Sequence, residues 1–191
     1  MTVSATSTAA ARLLDNAVAQ VGPDPDLRGV EALANWLAHS VAGADRTLLD
    51  ELAAADAESR RTGEGVVLGI AGTGHTMVVR HFPEGQPTPI HGHGGWGAVV
   101  VLAGTGRYET WEPTTDGFAQ LVSLCELGPG DTLGWPDPPD DVHRQEGLDG
   151  GATELTVFAR HPFHTWAPHF QPAGEAPDVA LTMPQPRSVA T

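Results

Sequence analysis

The sequence predicts a mainly β protein, a sandwich or barrel of short strands with a helical segment in front of it. Two observations predict this. Up to about Arg61–Gly65 the chain is rich in Ala and Leu, with apolar residues three and four positions apart. From Gly65 onward the pattern becomes short apolar runs broken by Gly, Pro and Asp. A length of 191 residues with 40% hydrophobic content suits one domain with a core of its own. The expected division is residues 1–63 as a helical segment packed on the barrel, 64–170 as the barrel and 171–191 as a Pro-rich tail.

In the first segment Leu14, Val18 and Val21 fall at i, i+4 and i+7. Asp24–Pro25 reads as the N-cap and first position of a second helix, whose inner stripe is Leu27, Val30, Leu33 or Ala34, Leu37 and Val41. Asp45 opens a third helix with Leu48, Leu49 and Leu52 inward, and Gly63 is its stop. These helices, residues 8–62, read as a cover without chemistry of their own. The expected strands are Val66–Ala71, His75–Phe82, Thr88–His93, Gly97–Leu102, Arg107–Glu112, Gly117–Leu124, Asp131–Trp135 and Thr153–Arg160. Turns are expected at Gly104–Thr105–Gly106, Asp116–Gly117, Pro129–Gly130–Asp131 and Gly150–Gly151. After His169 the Pro residues 172, 177, 184 and 186 mark a tail.

Composition removes several classes of function. All ten basic residues are Arg, so a Lys Schiff base and the P-loop Lys are excluded. Ten Arg against 24 acidic residues give a net charge of -14, which argues against nucleic acid and anionic membranes as partners. The single Cys125 excludes a disulfide framework and Cys-rich zinc sites, and reads as buried and inert. No run approaches the roughly 18 apolar residues of a membrane helix. Met1–Ala10 lacks a charged stretch followed by an apolar one, so a cytoplasmic location is expected.

The chemistry concentrates in histidine. His91–Gly92–His93 puts two imidazoles on one face of a strand, where both can converge on one ion. The best third ligand is His143, at the start of a late strand. A solvent-exposed His pair beside flexible Gly is the plainer alternative. His161, His164 and His169 follow the last expected strand and suit surface or capping roles. His81 alternates with Arg80, so only one of the two can face a pocket. Trp96 could wall the site or simply pack at the barrel mouth, whereas Trp111 and Trp135 read as core or rim.

The spacing of His91-x-His93, the Gly104–Thr105–Gly106 segment, Leu127–Gly128–Pro129–Gly130–Asp131 and His143 together resembles the cupin superfamily. The run Pro89–Ile90–His91–Gly92–His93–Gly94–Gly95–Trp96–Gly97, followed by Asp141–Val142–His143–Arg144, is similar to bacterial cysteine dioxygenase-type thiol dioxygenases. The similarity spans roughly residues 65–163. It implies a cupin double-stranded β-helix (jelly-roll) barrel with an N-terminal helical cover. It also implies Fe(2+) held by His91, His93 and His143, with a small thiol and O2 as partners. Both oxygen atoms would go to sulfur, giving a sulfinic acid. Many cupins carry a carboxylate about four residues after the His pair; here Gly97 and Ala98 stand in that region. Three neutral imidazoles leave a divalent ion its full charge, which suits a substrate that arrives as an anion. Zinc or nickel would fit the same three ligands.

The family pattern is incomplete in the substrate region. Relatives hold Ser, His and Tyr at alternate positions of the strand after the third His, where this chain has Glu154, Thr156 and Phe158. The only Tyr is Tyr108, and no Arg lies in Val66–Gly69, where relatives carry one for the substrate carboxylate. Matched through Gly85 and the His pair, Arg80 and Phe82 fall at pocket-lining positions. Arg80 then either grips the substrate carboxylate or pairs with Glu154 across the barrel. Two other functions remain open: a non-catalytic metal-binding cupin that senses a small molecule, and a cupin oxygenase acting on a non-thiol substrate.

Overall fold

A computed structural model describes residues 8–22, 25–114, 117–162 and 168–173. It opens with three helices, α1 (Ala9–Gln20), α2 (Leu27–Ala42) and α3 (Arg46–Thr62). Each starts at a side chain that accepts a free first-turn N–H: Thr8 for Ala11, Asp26 for Gly29 and Asp45 for Leu48, at 2.9–3.0 Å. The cap of α2 is therefore Asp26 and not the expected Asp24–Pro25. The carboxylate that reaches back to Gly29 decides the boundary, and Asp24 itself lies outside the described residues. The first amides of α1, from Ala9 and Ala10, donate to Glu51 of α3 at 3.0 and 2.8 Å, so the two helices are locked end to side. Among the described residues, no helix is long and apolar enough to cross a membrane.

Eight strands follow: β1 (Val66–Ile70), β2 (Thr76–Phe82), β3 (Ile90–His91), β4 (Gly97–Pro113), β5 (Phe118–Leu127), β6 (Thr132–Trp135), β7 (His143–Phe158) and β8 (His169–Pro172). Their order is β1-β2-β7-β3-β8-β5-β4-β6, and a further pairing of β7 with β4 closes the sheet into a barrel. The protein is mainly β, a closed double-stranded β-helix barrel behind three N-terminal helices.

Two expected turns are not turns. Gly104–Thr105–Gly106 lies inside the 17-residue β4, and Gly150–Gly151 lies inside the 16-residue β7. These strands run antiparallel from Gly97 opposite Phe158 to Thr110 opposite His143, with register shifts at Val101/Ala103 and Gly104/Thr105. The glycines serve the bend. Gly104 has φ of 74°, and a Cβ on it would lie 2.0 Å from the Gly151 carbonyl oxygen. Two strands that cross this closely while bending need the same residues that a turn needs. The start of the expected tail also differs: residues 169–172 form β8, antiparallel to β3 and parallel to β5. Residues 174–191 are outside the described part.

The alternation of β2, β4 and β7 sorts most of their side chains into two cores, while Trp111 of β4 packs in a third with Ile90, Ala119, Leu121 and Val142. Met77, Val79, Ala98, Val100, Leu155 and Val157 point outward and pack with Leu14, Val30, Leu33, Leu37 and Leu52 of the helices. Val78, Val99, Val101, Tyr108, Leu127, Trp135 and Phe158 point into the barrel. Burial of each large aliphatic side chain contributes on the order of 1.5–3 kcal/mol, so the helices are held mainly by the outward set. At the barrel rim Thr153 of β7 donates to Asp56 of α3 at 2.7 Å and accepts from Arg60 at 3.1 Å.

Candidate metal centre

Register brings the three histidines together. His91 on β3 is the direct antiparallel partner of His143, the first residue of β7. His93 follows two residues later on the same side. Ring centroids lie 4.8 Å apart for His91–His93, 4.8 Å for His91–His143 and 5.0 Å for His93–His143. One ligand nitrogen from each ring falls within 4.8 Å of the others, so the three can hold a metal ion.

Hydrogen bonding prepares two of these rings. Nδ1 of His143 donates to the Asp141 carbonyl at 2.9 Å, and Nδ1 of His91 donates to the Pro89 carbonyl at 2.8 Å. A carbonyl only accepts, so both rings carry the proton on Nδ1 and keep the Nε2 lone pair free. Nε2 of His143 and Nδ1 of His93 are buried without a hydrogen-bond partner. Buried nitrogens left this way are costly unless something else occupies them. Burial also keeps the rings neutral. It pushes His143 well down, His91 down, and His93 down to about 3, with the neighbouring imidazoles adding to the effect for His93 and His143. Neutral rings with free lone pairs are the state a metal needs, and the donor set fits a divalent first-row ion.

The walls around the rings are aromatic. Tyr108 stacks on His143 with centroids 5.0 Å apart, Trp135 lies 4.7 Å from His143, and Phe158 lies 4.7 Å from His93. Gly97 matters here. A Cβ on it would fall 1.9 Å from Trp135 Cζ2, so the indole fills the space that a side chain at 97 would need. The absence of a carboxylate after the His pair thus has a steric counterpart in Trp135. The indole is fixed in turn by an N–H bond to the Gly95 carbonyl at 3.1 Å.

A cavity of about 170 Å³ opens beside His91 and His93, and Arg80, Phe82, Thr156 and Phe158 line it. Glu154 is on the same inner face, directly opposite Arg80 in the β2–β7 register, but it does not line the cavity. It is 2% exposed and accepts from Gln145 Nε2 at 2.8 Å. Burial raises its carboxyl to about 8, against the opposing influence of Gln145 and Arg80. Among the described residues no Arg80–Glu154 ion pair forms. The guanidinium instead sits 5.1 Å over the Phe82 ring, with its Nε buried and without a partner.

Trp96 does not join the cavity. It is 2% exposed in the outward core beneath the helices, with its ring 5.3 Å from His75. The chain turns at Gly94, where φ is 70°, and Trp96 emerges in phase with the outward-facing Ala98 and Val100. Trp96 stands three residues after His93, an odd step, so alternation alone sets it on the face opposite the ligand. His81 faces the helices, near Thr153 at 3.1 Å, while Arg80 faces inward. His169 is exposed at the edge of His91, with ring centroids 6.3 Å apart, and His164 lies outside the described residues. Cys125 is half-buried, and burial pushes its thiol up to about 11.

Three neighbours of the site have no role in the sequence reading. Gln145 could have been found, since it is two residues beyond His143 on the same strand face. Tyr108 lies opposite Gln145 across the β4–β7 ladder, a register that local sequence does not carry. Asp141 is the third, and its contacts span the chain: Oδ2 accepts the main-chain N–H groups of His93 and Gly94, both at 2.7 Å.

No family model matches the chain, and no curated protein matches it. Among solved structures it is similar to the DMSP lyase DddQ of Ruegeria pomeroyi, at 22% identity and a TM-score of 0.42 over 55% of this chain and 49% of that one. It is also similar to the hydroquinone 1,2-dioxygenase PnpCD in complex with Cd2+ and 4-hydroxybenzonitrile, at 17% identity and a TM-score of 0.43 over 52% and 65%. A cupin superfamily protein of Desulfitobacterium hafniense matches at 18% identity and a TM-score of 0.38 over 51% and 77%. The chain spans about half the length of the lyase and just under two thirds of the dioxygenase.

Proposed function

We propose that the chain is a mononuclear oxygenase that binds Fe(2+) through His91, His93 and His143 and adds O2 to the sulfur of a small carboxylate-bearing thiol. The reaction balances as thiol plus O2 giving sulfinic acid, with both oxygen atoms retained in the product. The observation that carries this reading is the pairing of two features in one cavity. Two of the three clustered imidazoles, His91 and His93, line it, with His143 in contact behind them and no carboxylate in the set. The Arg80 guanidinium, which forms no ion pair among the described residues, lines it too.

Each feature has a defined part. A ferrous ion held by the three rings would supply a redox-active Lewis acid that keeps its whole positive charge for an anionic thiolate. Arg80 would hold the carboxylate of that substrate through a two-point hydrogen-bonded ion pair and so orient the sulfur. Glu154 does not cancel the guanidinium at neutral pH, because a carboxyl raised to about 8 is mostly protonated there. Phe82, Thr156 and Phe158 shape the remaining wall, and Phe158 with Trp135 keeps the rings of His93 and His143 dry.

Protein purified without oxygen, its metal content measured, and then oxygen uptake followed with a panel of thiols tests the proposal. The panel should include 3-mercaptopropionate and mercaptosuccinate beside cysteine. About one iron per chain with thiol-dependent uptake supports it. Metal without uptake indicates a binding protein, and uptake only with non-thiol substrates indicates a different oxygenase.

A further inference from the structure

Asp141 stands two residues before His143, yet its carboxylate bonds to a segment 47 and 48 residues away. Oδ2 accepts the main-chain N–H of His93 and of Gly94, both at 2.7 Å, while its own carbonyl accepts Nδ1–H of His143 at 2.9 Å. The residue is 2% exposed, and among the described residues no cation pairs with it. A carboxylate buried without a cation is costly, and two short bonds from backbone N–H groups compensate that cost. The glycine between the two histidines fits this arrangement. A Cβ on Gly92 would lie 2.9 Å from Oδ2 and 3.1 Å from Cγ and Oδ1 of Asp141, so the carboxylate packs directly on the main chain there. Asp137 extends the same clasp by accepting the Trp96 N–H at 3.0 Å.

We infer that Asp141 is a positioning residue of the metal centre: one side chain and its own carbonyl hold the His93 backbone and the His143 ring against each other, so that two ligands from distant parts of the chain assemble as a unit. The inference rests on the reading of the three histidines as metal ligands. It assigns Asp141 no contact with ion or substrate. Partners that orient a ligand typically change metal affinity by about 10–100-fold.

Co2+ titration of the whole chain by calorimetry, with the visible Co2+ absorption recorded in parallel, tests it. Asp141→Ala should weaken Co2+ by about 10–100-fold and alter the absorption. Asp141→Asn keeps an acceptor oxygen and should retain part of the affinity. Gly92→Ala leaves every ligand in place but crowds the carboxylate, so it should weaken Co2+ in the parent chain and do nothing further in the Asp141→Ala background. A folded Asp141→Ala with parent affinity and spectrum overturns the inference, as does a Gly92→Ala effect of equal size in both backgrounds. Should Asp141→Ala fail to fold, parent affinity in both Asp141→Asn and Gly92→Ala overturns it. His143→Ala separates the two levels. Loss of Co2+ there with parent binding in Asp141→Ala sinks only this inference, whereas parent binding in His143→Ala sinks the three-histidine reading as well.

Discussion

The outward and inward faces of β2 and β7 are made from alternating residues of the same strands, and they are built on different terms. Met77, Val79, Leu155 and Val157 face the helices in a continuous apolar core, where every contact improves stability. Val78, Arg80, Glu154 and Thr156 face the barrel, where a guanidinium, a buried carboxyl and a hydroxyl are kept in company with apolar walls. Buried nitrogens without partners occur at Arg80, His93 and His143 on or beside the inward side. The outward core contributes none. Tyr108 Oη, whose ring stacks on His143, and Arg107 Nε, whose guanidinium pairs with Glu126 and Glu146, are open as well. The mark of a ligand site is therefore the convergence of Arg80, His93 and His143 around one cavity.

Substitutions on the two faces should therefore change different measurements. The largest effect is expected for His143→Ala, which removes one of three ligands. Its affinity for a divalent ion should fall on the order of 100-fold or more, above the range for groups that only orient a ligand, and titration calorimetry reads this directly. Leu155→Ala, on the outward face, should cost about 2–5 kcal/mol in denaturant unfolding and leave metal affinity and KM unchanged. If Leu155→Ala instead changes KM, the two faces are not independent.

Arg80→Ala sharpens the comparison on the inward side. Loss of a charge-assisted bond worth about 1.5–3 kcal/mol should raise KM for a carboxylate thiol by roughly 10–100-fold, since 1.4 kcal/mol is tenfold. Metal content should stay constant, and Arg80→Lys should recover little, because an ammonium cannot reproduce the planar fork. An Arg80→Ala chain with unchanged KM would return Arg80 to a structural role.

The two faces differ also in how far the sequence reveals them. Strict alternation in β2 and β7 tells that Arg80 and Phe82 share a face, and Glu154, Thr156 and Phe158 another; adjacency of the two needs only the register Arg80 opposite Glu154. The helix caps at Asp45 and Gly63 are local signals and stand where the sequence puts them. Trp96 misses the cavity because it stands an odd step from His93, on the outward side with Ala98 and Val100. Gly104 and Gly151 look like turn residues because close strand crossing and turning make the same demand for a missing Cβ. The clasp by Asp141 and the pairing of β8 with β5 depend on contacts far apart in the chain, which no window of neighbouring residues contains.

The last expected effect concerns pH. In the folded chain the Glu154 carboxyl is raised to about 8 from an ordinary 4.5. Between those values the unfolded chain has released a proton that the folded chain retains, so this residue's contribution to stability falls as pH rises from 4.5 to about 8. Glu154→Gln should therefore gain stability relative to the parent at pH 9 and gain none at pH 4, as read by thermal unfolding. Ionised Glu154 would also compete with substrate for Arg80, so KM in the parent should rise above pH 8 and that rise should be missing in Glu154→Gln.

Oxygen consumption by the iron-loaded chain, measured against a carboxylate thiol with the product identified by mass spectrometry, tests the central claim most directly. One O2 should be consumed per thiol, with the product heavier by two oxygen atoms and both atoms labelled when 18O2 is supplied. Thiol loss as disulfide, or oxygen uptake indifferent to thiol in an iron-replete chain, would contradict it.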